Sequence, residues 1–141
     1  MQLQIHKLFW IDYANQKYNY SGIRVTEGEE YLFYIDLNQV WYDSDIATSP
    51  KGWDRKHTDL GFLSGLFVKL KEDDRRCPKA KWFEIIGTIG KSDKSPIRLL
   101  KHTEMPLKVD KTGDFYAFAN DLDRMYGNNL GSISVSLTRT R

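Results

Sequence analysis

The sequence predicts an all-β fold, a sandwich or barrel of short antiparallel strands, and three observations carry that expectation. Residues 132–138 alternate strictly: Ile133, Val135 and Leu137 interleave with Ser132, Ser134 and Ser136, the period of a strand with one face packed and the other solvated. Turn-forming clusters recur between the apolar runs, as in Ser49-Pro50-Lys51-Gly52, Gly90-Lys91-Ser92-Asp93 and Lys111-Thr112-Gly113-Asp114. No long amphipathic helical period competes with them.

Taken in order, the alternation over residues 3–8 predicts the first strand, and residues 23–25 and 31–37 the next two, parted by Glu27-Gly28. Residues 66–70 also read as a strand. Over residues 69–81, Glu72, Asp73, Asp74, Arg75 and Arg76 predict a solvated loop ending in Cys77-Pro78. Strands are further expected over 82–89, 107–109 and 115–119, with Gly127-Asn128-Asn129 as the turn into the last one. No repeat, low-complexity tract or linker interrupts the pattern, so residues 1–141 are expected to form a single domain.

A chain of 141 residues that is 40% hydrophobic, with 7 Phe, 4 Trp and 8 Tyr, carries the material for one core. Its 21 basic and 19 acidic side chains are interspersed, so no single-sign field marks a nucleic-acid partner. Membrane insertion is not expected, because no apolar stretch approaches spanning length. Residues 1–7 alternate instead of forming the apolar core of a signal peptide, which points to a cytoplasmic location. Cys77 is the sole cysteine, which excludes an internal disulfide and a cysteine-rich zinc site. Asn19-Tyr20-Ser21 fits the N-glycosylation sequon, a pattern that recurs by chance. Catalysis would need Cys77 paired with His6, His57 or His102, or Glu84 paired with Asp59. No motif surrounds either pairing, and the chain is not expected to be an enzyme.

The stretch Asn120-Asp121-Leu122-Asp123-Arg124-Met125-Tyr126-Gly127-Asn128-Asn129 packs carboxylates, carboxamides and a glycine between two patterned strands. Calcium takes six to eight hard oxygens, and Asp carboxylates, Asn carbonyls and main-chain carbonyls are its usual donors. The same composition also makes an ordinary turn. An EF-hand is excluded, because Met125 stands at the fifth position, Tyr126 replaces the glycine of the sixth, and Ser132 stands where the bidentate glutamate belongs.

Asn120-Asp121 followed by Tyr126-Gly127-Asn128-Asn129 and Gly131-Ser132-Ile133-Ser134-Val135 resembles the C-terminal segment of the LecA (PA-IL) family of bacterial galactose-binding lectins. Asp54-Arg55-Lys56-His57-Thr58-Asp59-Leu60-Gly61 resembles that family's Asp-Arg-x-His loop. Phe83-Glu84-Ile85-Ile86-Gly87-Thr88-Ile89-Gly90 resembles its central strand, and Tyr20-Ser21-Gly22-Ile23-Arg24-Val25-Thr26-Glu27-Gly28 its early strand and turn. The segments occur in the family's order and cover residues 18–137.

The resemblance implies a jelly-roll β-sandwich of two antiparallel sheets. It also implies a bound Ca2+ whose coordination shell is completed by two neighbouring hydroxyls of galactose. Carried over by motif, Asp121, Asn128 and Asn129 ligate through side chains and Met125 through its carbonyl. A further carbonyl is expected at Ser44, in the turn after Trp41. Asp121 and Asn128 also touch the sugar, His57 hydrogen-bonds its primary hydroxyl, and Leu122 and Asp59 complete the expected sugar contacts. Tyr42 and Trp53 are candidates to line the rim.

The implied partners are galactose-containing glycans, bound by a homo-oligomer that raises avidity. Lectins of the resembling family lack a classical signal peptide, so export to the cell surface without one stays open. Leu60 departs from the family pattern, which has a sugar-bonding glutamine there; one lost neutral hydrogen bond is worth about 0.5–1.5 kcal/mol. That departure keeps an alternative open: a non-catalytic jelly-roll interaction module with a structural calcium, binding a protein or a different glycan.

Overall fold

Alternation and turn chemistry produce ten strands among the described residues of the computed structural model, which are residues 7–141. They are β1 (Lys7–Tyr13), β2 (Asn19–Val25), β3 (Glu30–Tyr34), β4 (Trp41–Asp43), β5 (Ile46–Thr48), β6 (Ile85–Ile89), β7 (Ile97–Arg98), β8 (Leu107–Lys108), β9 (Gly113–Ala119) and β10 (Asn129–Arg139). One helix, α1 (Phe62–Lys71), lies between β5 and β6. The strands form two antiparallel sheets, a β-sandwich as expected.

β10 organises the first sheet. Its length lets β1 run along residues 132–138 while β3 pairs with residues 136–139 and β4 with residues 129–131. β5 extends the sheet from β4 and β8 from β3. Gly131 sits at the bend of β10 with φ +89°, and a Cβ there would come within 3.3 Å of the Trp41 backbone, so the close crossing of β4 requires glycine. The second sheet has the order β2, β9, β6, β7.

Period-two patterning decides what lies between the sheets. Trp10 and Asp12 of β1 point inward, as do Ile133, Val135 and Leu137 of β10, all buried. Phe115 of β9 meets Trp10 and Phe33 at ring separations of 5.9 and 5.5 Å, and Trp41 meets Phe83 edge-on at 5.5 Å. Each fully buried apolar side chain of this size contributes about 1.5–3 kcal/mol over its exposed state.

Every residue of β6 is buried because the second sheet is covered on both faces. Its outer cover is the segment expected to be a solvated loop. Cys77 and Ala80 pack on Ile86 and Phe118 in a second small core. The Arg76 side chain, 2% exposed, donates to both Asp93 oxygens at 3.0 and 2.9 Å and to the Lys17 carbonyl and Tyr126 hydroxyl at 2.6 and 2.7 Å. The charge of this segment is thus spent partly on a buried pair, which composition does not distinguish from a solvated face.

Residues 66–70, expected as a strand, belong to α1. Phe62, Leu66 and Leu70 stand four apart and share one helical face, a short period that the surrounding strand signals mask. The strand expected over 82–89 begins only at Ile85, since Phe83 adopts φ +62° and breaks the extended run. Of the strand expected over 3–8, residues 3–6 lie outside the described residues, as does His6. Asn19, the sequon residue, is buried and donates its amide to the carbonyls of Tyr13 and Ala117, which leaves no room for a glycan.

Candidate functional site

Three segments meet at one end of the sandwich and enclose a cleft of about 420 Å³. The β4–β5 turn gives Asp43, Ser44 and Asp45; the loop between β9 and β10 gives Asp121, Leu122, Met125 and Asn128. Helix α1 forms a wall with Leu63, Ser64, Phe67 and Val68, and Leu60 lies beside it. Trp53 and Trp82 also line the cleft, with rings stacked 5.7 Å apart at 15°.

The sheet register places the polar groups. Asn129 opens β10 directly opposite Asp43 of β4, and the Asn129 amide donates to Asp121 Oδ2 at 3.0 Å and to the Ala14 carbonyl at 3.0 Å. Asp121 Oδ1 accepts the Leu122 N–H at 2.7 Å. Asp43 Oδ2 accepts Trp53 Nε1–H at 3.0 Å. The turn between β4 and β5 tightens through Ser44, whose φ of +57° is uncommon outside glycine.

The loop carrying Asp121 is anchored from below. Its Tyr126 hydroxyl donates to the Ala119 carbonyl at 2.6 Å and accepts from Arg76, while the Arg76 N–H donates to the Asp121 carbonyl at 3.1 Å. Asn120, fully buried, bonds the backbone of Cys77 through both ends of its amide. These bonds fix the loop's position without using the side chains that face the cleft.

Burial pushes the Asp43 carboxyl up to about 6, with Asp45 adding to the rise and the Trp53 hydrogen bond opposing it. Burial and the neighbouring Asp43 push Asp121 up to about 7, against the pull of Asn129 and the Leu122 amide. Two desolvated carboxyls facing one another are relieved by a cation between them. Asn129 Oδ1 is buried and has no hydrogen-bond partner, an oxygen whose desolvation a hard cation would offset. The donor set of carboxylate, amide and main-chain oxygens suits calcium. Among the described residues no group of three or more His, Cys, Asp or Glu side chains stands ready for a metal, so any cation here depends on the neutral oxygens.

Of the residues expected from the sequence, Ser44, Asp121, Leu122, Met125 and Asn128 line one cleft. Asn129 lies beneath it, 1% exposed and bonded to Asp121. His57 and Asp59 are not among the lining residues. His57 sits in a 3₁₀ turn, Arg55–His57, capped by Asp54, whose Oδ1 accepts the His57 N–H at 2.9 Å and lies 2.7 Å from its Nδ1. Trp53 lines the cleft and Tyr42 does not, since period two turns Tyr42 to the outer face when Asp43 points in.

Sequence reasoning missed Asp43 and the whole α1 wall. The Trp41-Tyr42-Asp43-Ser44-Asp45 run held the signal for Asp43, an acid one residue before a turn. The groups weighed for catalysis are held elsewhere. Glu84 is buried and bonded to Arg98 at 2.7 and 3.1 Å. Cys77 is buried, which pushes its thiol up, and His102 bonds the Met105 carbonyl.

No family model matches the chain, and no curated protein matches it. Among solved structures, the N-terminal domain of EclA, described as a PllA-like lectin, is similar with a TM-score of 0.61 and 16% identity over 94% of this chain and 95% of that one. That likeness is one of fold.

Proposed function

We propose that this chain is a non-enzymatic carbohydrate-binding protein, a calcium-dependent lectin for galactose or galactosides. The observation that carries the reading is the meeting of an oxygen-donor rim, Asp43, Asp121 and Asn128, with the stacked pair Trp53 and Trp82 in one cleft. Sugars present the matching surfaces, hydroxyls on the edge and C–H groups on a face. The lectin similar in fold supports the same reading. When bound, Ca2+ supplies coordination positions that two neighbouring sugar hydroxyls fill.

The side chains of Asp121, Asn128 and Asn129 and the carbonyls of Met125 and Ser44 would hold the ion. Asp121 also accepts a hydrogen bond from the sugar, and Asn128 donates one to it through its amide N–H. Leu122 packs against it, and Leu60 and α1 exclude water from one side. His57 and Asp59 contact a sugar substituent that extends past the cleft. The whole chain acts as one lectin domain, and assembly of several copies raises avidity for glycans on a surface. Its place of action is the cytoplasm or the cell surface.

Titration calorimetry of galactose with calcium and again with EDTA tests the reading. Heat that appears only with calcium is the expected result, and absence of heat in both conditions sinks the galactose assignment. A second reading, an interaction module with structural calcium that binds a protein or another glycan, is favoured by Leu60, Leu63 and Phe67 on the cleft wall. Calcium-dependent thermal stabilisation without galactose heat would select it.

A further inference from the structure

A second hollow, of about 580 Å³, lies beside β7 and shares no lining residue with the cleft. Lys79, Lys94, Arg98 and Lys101 line it, with His102 beside them, and among the described residues no acidic side chain does. Arg98 is already neutralised by Glu84, which accepts from it at 2.7 and 3.1 Å. The three lysines are exposed, and none pairs with a carboxylate among the described residues. The acids nearest to them in sequence are held elsewhere: Asp93 by Arg76 and the Tyr18 hydroxyl, and Glu104 in a separate hollow beside Leu100 and Thr103. In a chain whose 21 basic and 19 acidic side chains are otherwise interspersed, this is a local excess of positive charge.

The backbone that carries these groups is fixed by its own hydrogen bonds. Lys79 sits in a turn closed by the Ala80 N–H to the Cys77 carbonyl at 3.1 Å, and the Pro78 carbonyl accepts from Arg75 at 2.9 Å. The Lys94 N–H donates to Ser92 Oγ at 3.3 Å. Lys101 and His102 end a 3₁₀ turn, Leu99–His102, built on the buried Leu99. The Met105 carbonyl can only accept, so His102 donates its Nδ1–H there at 3.0 Å, which leaves Nε2 without a partner among the described residues. Pro96, Ile97 and Leu107 make the rest of the wall apolar.

We infer that this hollow binds a phosphate or sulfate monoester, its oxyanion held by Lys79, Lys94 and Lys101 and its organic body lying on Pro96, Ile97 and Leu107. Cations gathered in a concavity repel one another and focus their field, and a tetrahedral oxyanion offers each of them an acceptor oxygen at once. The volume falls within the roughly 300–1,000 Å³ of small-molecule sites, more than one inorganic ion fills. The inference stands apart from the sugar reading, since the hollow uses neither calcium nor any residue of the cleft.

Titration calorimetry of the whole chain with phenyl phosphate tests it, with EDTA present, at low ionic strength and in a buffer free of phosphate. Saturable heat is expected, with an affinity about tenfold above that for inorganic phosphate, because the ring buries apolar surface beside the oxyanion. Phenyl sulfate titrated in parallel separates the two sources of the oxyanion, the tighter ester naming the group. Lys79→Gln, Lys94→Gln and Lys101→Gln should each weaken binding about fivefold while the melting temperature is kept. Lys69→Gln, an equal loss of charge on α1, should leave the affinity unchanged. Absence of saturable heat from both esters, an affinity indifferent to the three variants, an equal effect of Lys69→Gln, or inorganic phosphate binding as tightly as the ester would each overturn the inference.

Discussion

At the scale of single residues, Asp12 sets a pH dependence. It is fully buried in β1, its Oδ2 has no hydrogen-bond partner, and burial raises its carboxyl to about 8 against the opposing bond from Trp10 Nε1. The folded chain therefore keeps this proton up to about pH 8, whereas the unfolded chain releases it near the usual 3.8. Stability from this group is full below the unfolded value and is lost as pH rises from about 4 to about 8, with a slope of up to about 1.4 kcal/mol per pH unit. Urea midpoints should fall between pH 5 and pH 8, and Asp12→Asn should remove about half of that fall, the rest coming from the raised carboxyls of Asp43 and Asp121; an unchanged slope in the variant would refute the assignment. Gly52 is the other single-residue constraint. With φ +80° and a notional Cβ only 2.3 Å from the Trp82 carbonyl oxygen, Gly52→Ala should cost more than about 1 kcal/mol.

Elements respond differently. In α1, Gly65 has a helical backbone and open space around it, the nearest atom to an added Cβ being 3.9 Å away. Gly65→Ala should raise stability by about 0.5–1 kcal/mol in chemical denaturation, since the helix loses less backbone entropy. The 75–81 segment depends on Arg76. Arg76→Ala leaves the Lys17 carbonyl without its guanidinium donor and Asp93 with only the Tyr18 hydroxyl, so a loss of about 3 kcal/mol is expected. Arg76→Lys should recover little, because a lysine cannot make the bidentate pair or lie flat on Phe118, whose ring centre is 3.3 Å from the guanidinium. Recovery close to wild type would mean that charge alone holds the segment.

For the molecule as a whole, ligand linkage ties the cleft to stability. Calcium at one hundred times its dissociation constant should stabilise the fold by about 2.7 kcal/mol, seen as a melting temperature several degrees higher and reversed by EDTA. Asp121→Ala should abolish that rise. His57→Ala should keep the rise and weaken sugar binding several-fold, the weight of about one hydrogen bond. Equal loss of both responses in the two variants would show that His57 acts on the loop rather than on the sugar.

The sequence by itself determined the all-β class, most of the longer strands and the cleft-facing loop, because period-two alternation and turn residues act locally. Ser44, Asp121, Leu122, Met125 and Asn128, singled out through the resemblance, share one cleft. Tertiary structure alone decided the rest. Asp43 meets Asp121 and Asn129 only through strand register, the joint result of β4 and β10 pairing. Helix α1 forms from a run too short to outweigh its surroundings and becomes a wall by packing Val68 inward. Arg76, one charge among several in a polar run, is buried because Asp93, Lys17 and Tyr126 converge on it from distant parts of the chain. Such convergence is a property of three-dimensional neighbours, and no local pattern encodes it.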